Sequence, residues 1–365
     1  MCDLAEHNDV EEHPAKRHCP TGSPQEVKTN EMDAAYFKSY EDIGIHEDMI
    51  KDMVRTNSYR LAILRASEKL IGKVVLDVGA GTGVLSCFCI QAGAKKVYAI
   101  EASSMAEQAK KVAEANSAGG NIEVIRGRVE DIELPEKVDV IVSEWMGHFL
   151  LYESMLNSVI CARDKWLKKD GIILPSKASL YLSPFMNESI YEERVEFWRS
   201  VKESIGVDMS CIEPHARKSL CRHVHVEEVG VCDLLARPCH LRELDLYTLT
   251  PSDLKCMKMP FKFMCYGRQA FCGFTSWFTV TFDAGIKGKE PLILSTSPEK
   301  HVTHWRQSCM YLEYPVSVEQ DTVIAGNITL TPGEMNPRFL EIEVTFTVDE
   351  GSPVTRSYSM SDGSS

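Results

Sequence analysis

The stretch Val74-Val75-Leu76-Asp77-Val78-Gly79-Ala80-Gly81-Thr82-Gly83, followed by Val97-Tyr98-Ala99-Ile100-Glu101, constrains this chain more than any other. A mostly apolar, β-branched run enters a turn of three glycines, and helix-forming residues follow from about Thr82 to Gln91. Glycine permits positive φ and close backbone approach, and a helix starting there exposes unpaired N–H groups. The second run reads as a neighbouring strand ending in a carboxylate suited to a ribose diol. Strand, glycine turn, helix, strand and acid predict a doubly wound, Rossmann-like α/β unit holding a nucleotide-like ligand.

The spacing narrows the ligand. Dinucleotide sites use G-x-G-x-x-G, which admits a pyrophosphate at the helix start. Here the pattern is G-x-G-x-G, with Val84 where the third glycine would fall. Asp77 adds a negative charge beside the turn, which opposes a pyrophosphate and favours a cationic cofactor. S-adenosyl-L-methionine fits, with a sulfonium, an ammonium, a ribose and no phosphate. A nicotinamide-dependent oxidoreductase is the rival that these features disfavour. A glycine turn of purely structural use is the plain alternative.

With 365 residues the chain is long enough for two domains, and its 44% apolar and 25% charged residues are ordinary for a globular protein. No uncharged apolar run approaches the roughly 18 residues of a membrane span, so no membrane partner is expected. The acidic start, MCDLAEHNDVEEHPAKRHC, is unlike a secretory signal. Thirteen scattered cysteines without a C-x-x-C pair suggest free thiols and no metal module. A net charge of −13 discourages direct nucleic-acid binding and favours a basic partner, although plain solubility explains it as well.

Residues 1–31 read as a disordered tail, in which Lys16-Arg17 is little better than chance as a nuclear signal. From Asp33 the aromatic residues Tyr36, Phe37 and Tyr40 precede a helical face formed by Ile50, Met53, Val54, Leu61, Ile63 and Leu64. Helices here would lie over the mouth of the sheet as a lid, with Tyr40, His46 and Arg55 able to serve a ligand. Arg55 can bind a cofactor carboxylate as a two-pronged donor; a solvated helix charge is the bland reading. A helix at about Ser103–Asn116 and strands at Ile122–Ile125 and Val138–Val142 continue a parallel sheet whose ligands lie at the C-terminal strand ends. Glu130 would then sit near an adenine amino group, or serve as a surface acid.

After Val142 comes Ser143-Glu144-Trp145-Met146-Gly147-His148-Phe149-Leu150-Leu151-Tyr152-Glu153, with a carboxylate near each end of an aromatic loop. Glu153 also precedes a helix expected over Ser154–Leu167, where its simplest role is a favourable charge. Glu144, at the end of a buried strand beside Trp145, needs a partner. Beyond Leu174-Pro175 the rhythm changes to antiparallel strands, read at Ala178–Leu182, Phe278–Phe282, Leu292–Leu294, Val323–Ala325 and Leu340–Phe346. Thr303-His304-Trp305 falls in a rim loop between two of them. The stretch Glu188–Val207 is an excursion whose Tyr191, Phe197 and Trp198 have no obvious place in either core, as expected of an interface.

Taken together, Tyr36-Phe37-x-x-Tyr40, the Asp77–Gly83 turn, the Glu144 to Glu153 loop, Asp208-Met209-Ser210-Cys211 and Thr303-His304-Trp305 resemble the type I protein arginine N-methyltransferase family. The resemblance spans about Tyr36 to Phe346. It implies a methyltransferase domain over 32–175 and a β-barrel domain over 176–350, with a dimerisation arm at about 188–207 and a C-terminal tail at 351–365. It implies that Tyr40, His46, Met49, Arg55, Asp77, Gly79, Gly81, Glu101 and Glu130 bind S-adenosyl-L-methionine, leaving S-adenosyl-L-homocysteine. Glu144 and Glu153 would grip the substrate guanidinium with His304 assisting, and Met146 and Trp305 would line the pocket. It further implies homodimers, histone tails as substrates, asymmetric dimethylarginine as product, a chromatin role and a nuclear location. The departure is His148, where the family usually has tyrosine. A donor-binding scaffold without activity is the remaining alternative, and both glutamates are present against it.

Overall fold

A computed structural model describes residues 33–361. The expected tail 1–31 lies outside the described residues. Four helices open the fold: α1 (33–39), α2 (Ile43–Lys51), α3 (Met53–Arg65) and α4 (Ser67–Leu70). They lead into five strands, β1 (Val74–Val78), β2 (Lys96–Glu101), β3 (Ile122–Arg126), β4 (Val138–Ser143) and β5 (Leu167–Leu174), all parallel in the order β3-β2-β1-β4-β5. Helices α5 (Val84–Gln91), α6 (Ala106–Ala115) and α7 (Leu156–Trp166) connect them. Every residue of β1 is buried, as a central parallel strand covered on both faces requires. Strand order reverses between β1 and β4, so Val78, Glu101 and Ser143 all end at one crevice.

Two helices are shorter than their sequences suggest. Gly83 takes φ +79° and caps α5, so that helix starts at Val84 instead of Thr82. Helix α7 ends at Trp166, because Leu167 already pairs with Val138. Asp170-Gly171 lies within β5 beside an irregularity in its pairing with β4.

The second domain comprises β6 (Lys177–Phe185), β7 (His225–Glu227), β8 (Cys239–Asp245), β9 (Met257–Met264), β10 (Gln269–Phe282), β11 (Leu292–Ser295), β12 (Gln307–Val318), β13 (Val323–Pro332), β14 (Leu340–Val348) and β15 (Val354–Met360). One antiparallel sheet runs β7-β12-β10-β6-β8, with β11 also on β10, and the other runs β15-β14-β13-β9. Phe261, Phe263, Phe271, Phe274 and Phe346 join the sheets in a ring cluster with centroids 5.0–6.3 Å apart. This aromatic packing is the barrel's core.

Two expectations need correction. The segment 351–365 is not simply a tail: β15 pairs with β14 from Val354 to Met360 and buries Tyr358 and Met360. The excursion is a helical run through Ser189–Tyr191, a π turn at Glu192–Glu196 and Phe197–Ile205, but Tyr191 belongs to a core. Its hydroxyl lies 2.8 Å from the Leu312 carbonyl. Phe197, Ile205 and Val207 are the apolar residues left exposed.

Candidate active site

Four N–H donors of the glycine turn are already engaged. Gly79 and Ala80 N–H groups both donate to the Ile100 carbonyl, and Gly83 donates to Ala80. Gly81 N–H donates to Glu101 Oε2 at 2.8 Å, while Ser103 N–H donates to the other oxygen. A pyrophosphate would meet a carboxylate where it needs amides. Gly79 and Gly81 leave space: a Cβ on Gly79 would fall 2.2 Å from Met155 Cε, and one on Gly81 3.3 Å from His46 Cε1.

The loop after β4 is a strained hairpin. Phe149, Leu150, Glu153 and Ser154 all take positive φ, an arrangement that non-glycine residues keep only when surroundings impose it. Gly147 is required, since its Cβ would sit 2.1 Å from the Tyr152 carbonyl oxygen. Arg338 fixes the far end, its carbonyl accepting from Glu153 N–H at 2.7 Å and its Nη1 donating to the Glu153 carbonyl at 2.8 Å. The Glu153 carboxylate turns away from the α7 start. Its Oε2 accepts from the Tyr36 and Tyr40 hydroxyls at 2.9 and 2.7 Å. Burial, then the Glu153 charge, hold both phenols well above their usual pKa, so they remain donors. Burial likewise raises the Glu153 carboxyl, opposed by the tyrosine hydrogen bonds and helped by the Glu144 charge.

Glu144 has the partner that its position demands. Arg55 donates to its Oε2 from Nε and Nη2 at 2.9 and 2.8 Å, with both side chains under a tenth exposed. Both glutamates therefore spend Oε2 on the protein, and among the described residues no donor reaches either Oε1. Asp52 separates α2 from α3. Its Oδ1 caps α3 through Arg55 N–H, and its Oδ2 accepts from His304 N–H and Nδ1 at 3.0 and 2.7 Å. Burial raises the Asp52 carboxyl, but the bonds from His304 and Arg55 outweigh it and lower the pKa. Because a carboxylate accepts, His304 carries its proton on Nδ1 and leaves Nε2 free to take another.

The remaining expected residues divide by position. His46, Met49, Gly79, Gly81, Glu101, Glu130, Met146 and Trp305 line one cavity of about 350 Å³ together with Glu144, Glu153 and His304. That size suits a nucleoside-sized ligand. Trp305 is 3% exposed and its indole N–H holds the Met146 carbonyl at 2.8 Å, so it is mainly a wall. Glu130 accepts from the Ser158 hydroxyl. Tyr40, expected on the cofactor, donates to Glu153. Arg55, expected free for a cofactor carboxylate, is paired with Glu144.

Asp77 requires the largest correction. It is fully buried beneath the turn, absent from the cavity wall, and takes the Ser86 hydroxyl at 2.6 Å. Burial, partly offset by Ser86, pushes its carboxyl up to about 7. Its charge is therefore not the main barrier to pyrophosphate; the engaged amides and Glu101 are. The cavity wall carries five carboxylates, Asp48, Glu101, Glu130, Glu144 and Glu153, against three arginines. All three arginines are already paired: Arg55 with Glu144, and Arg128 and Arg338 with Asp33. The balance favours a cation.

Asp48, His148, Glu153 and His304 line both this cavity and an open outer cleft of about 1030 Å³, and so form the neck between them. Sequence reasoning missed Asp52 and Arg338, whose partners are 252 and 185 residues away. Burial, and then the nearby His304, push the His148 pKa down to about 4, despite the Trp305 carbonyl 3.3 Å from Nδ1. A depressed folded-state value means that this stabilisation is complete above the unfolded value near 6.5 and is lost as pH falls through about 4. An NMR titration should find His148 neutral at pH 5.5, and a half-protonated ring there would contradict the burial argument.

Residues 176–351 match the arginine methyltransferase oligomerization subdomain, and residues 75–171 match a methyltransferase domain. Protein arginine N-methyltransferase 6 of Danio rerio is 52% identical over 331 residues, covering 90% of this chain and 94% of that protein. Its Xenopus tropicalis namesake is 47% identical over 331 residues, covering 90% of this chain and 96% of that one. Among solved structures, the Trypanosoma brucei PRMT1 enzyme-prozyme heterotetrameric complex with AdoHcy aligns with a TM-score of 0.81 at 34% identity, over 88% of this chain and 100% of that chain. The motif resemblance is borne out along nearly the whole described length, and the chain belongs to the protein arginine N-methyltransferase family.

Proposed function

We propose that this chain is a type I enzyme, transferring methyl groups from S-adenosyl-L-methionine to guanidino nitrogens of arginine in proteins, histone tails among them. The products are mono- and asymmetric dimethylarginine. We place it as a homodimer acting on chromatin in the nucleus. One observation carries the reading: Glu144 and Glu153 each commit Oε2 to the protein and leave Oε1 for a ligand, beside a turn whose Gly81 amide is held by the Glu101 carboxylate.

The cofactor, when bound, supplies an electrophilic methyl on a positively charged sulfur. Gly79 and Gly81 would give it room, Glu101 would take its ribose hydroxyls, and Glu130 its adenine amino group. His46, Met49 and Arg55 would enclose its amino-acid end. The substrate guanidinium is permanently protonated, with five N–H donors and no acceptor, so it is a poor nucleophile. Glu144 Oε1 and Glu153 Oε1 would accept from it, drawing positive charge toward the bound nitrogens and leaving the target nitrogen richer in electrons. They also offset the meeting of two cations, a repulsion of about 4 kcal/mol at 4 Å and an effective dielectric near 20. Met49 and Met146 would shape the space around the target nitrogen. His304 Nε2, its ring held by Asp52, would receive the proton late.

Dimerisation is supported by the match of 176–351 to an oligomerization subdomain and by the exposed Phe197, Ile205 and Val207. The nuclear and histone assignments rest on family resemblance and the net charge of −13, which suits basic substrates. Incubation with donor and matched peptides containing arginine or lysine should methylate only the arginine peptide. Neutral-loss mass spectrometry should then find asymmetric dimethylarginine; symmetric dimethylarginine as the main product would refute the type assignment.

A further inference from the structure

We propose that Asp33 and Arg338 are positioning residues forming a latch, which ties closure of α1 to the orientation of Glu153. The inference rests on Glu153 being a substrate-binding carboxylate. The described part of helix α1, 33–39, is tied to the rest of the fold through the side chains of Asp33 and Tyr36. Asp33 and Tyr36 lie three residues apart, on one face of that helix.

The contacts close a ring. Arg338, in the turn between β13 and β14, donates from Nε and Nη2 to Asp33 Oδ1 at 2.9 and 2.6 Å. Its guanidinium lies 3.9 Å from the Tyr36 ring centre, within cation–π range. Its Nη1 and carbonyl hold both backbone groups of Glu153, which sits at φ +77°. Tyr36, within α1, and Tyr40, just after it, complete the ring by donating to the Glu153 carboxylate. Arg128, which follows β3, grips the other oxygen of Asp33 at 2.7 Å. A single carboxylate on the lid thus bridges the methyltransferase domain and the barrel. The same arginine that fixes the Glu153 backbone reports whether the lid is down. If α1 lifts, Glu153 loses both hydroxyl donors, and its unsupported side chain can leave the orientation that receives a guanidinium.

The test uses the full chain carrying Asp33→Asn, Tyr36→Phe or both, with Arg338→Lys as a second probe that keeps the charge but loses the fork. Turnover on an arginine peptide, donor affinity and melting temperature are measured for each. Asp33→Asn should lower kcat by up to about a hundredfold, the scale of a misplaced reacting group, with the melting temperature unchanged. The double variant should be no slower than the slower single one, because both act through Glu153. Wild-type kcat in Asp33→Asn, or losses that multiply in the double variant, would overturn the latch. Glu153→Gln separates the layers. If it is active, the underlying reading of Glu153 falls. If it is inactive while Asp33→Asn is fully active, only the latch falls.

Discussion

Glu153→Gln should lower turnover at least a thousandfold while leaving the fold intact or slightly more stable. Glutamine can keep its carbonyl oxygen toward Tyr36 and Tyr40, so both phenolic hydrogen bonds survive. Its amide NH₂ then occupies the place of Oε1 and meets the N–H groups of the substrate donor to donor. About 4 kcal/mol of repulsion between two cations goes uncompensated, which corresponds to roughly a thousandfold in rate. Stability moves the other way. Burial raises the folded-state pKa of Glu153 above its unfolded value. The resulting stabilisation is fully present below the unfolded value and is lost as pH rises through the folded one. Above that folded-state value the carboxylate is carried at a cost that glutamine removes. Thermal melts should show no loss. A melt lowered in proportion to activity would return Glu153 to a structural role.

Glu144→Gln should lose turnover to a similar extent but also lose stability, which distinguishes it from its partner. Arg55 would keep a buried guanidinium beside a neutral amide, and breaking a buried ion pair by removing one charge typically costs about 3 kcal/mol or more. The family resemblance assigns both glutamates one role, gripping the substrate guanidinium. The structure separates them, because one is neutralised by an arginine and the other is held by two phenols. Calorimetric melts of the two variants should therefore diverge. A Glu144→Gln protein as stable as wild type would show that the Arg55 pair contributes little.

Strands β1 to β4 of the parallel sheet were legible as short apolar runs, whereas β5 was not, because Lys168, Lys169 and Asp170 are exposed along its first half. Much of the barrel was less so. Strand β9 alternates perfectly between buried and exposed, yet Pro260 within it argues against a strand. It is tolerated because β9 forms an edge of its sheet. Strand β15 is polar enough to pass for a tail and gains its order from β14. In the site, the residues on the glycine turn and the glutamate loop could be read directly, since local spacing sets their neighbourhood. Asp77 was misread because sequence shows a charge without its burial. Asp52 and Arg338 were missed because their roles depend on contacts that only the tertiary fold creates.

The paired action of the two carboxylates is tested most directly by turnover of Glu144→Gln, Glu153→Gln and the double variant on one arginine peptide, each measured below its melting temperature and at saturating donor. Groups that work as a unit are non-additive, so the double variant should be scarcely slower than either single one. Losses that multiply, or substantial activity in either single variant, would contradict a guanidinium held by both.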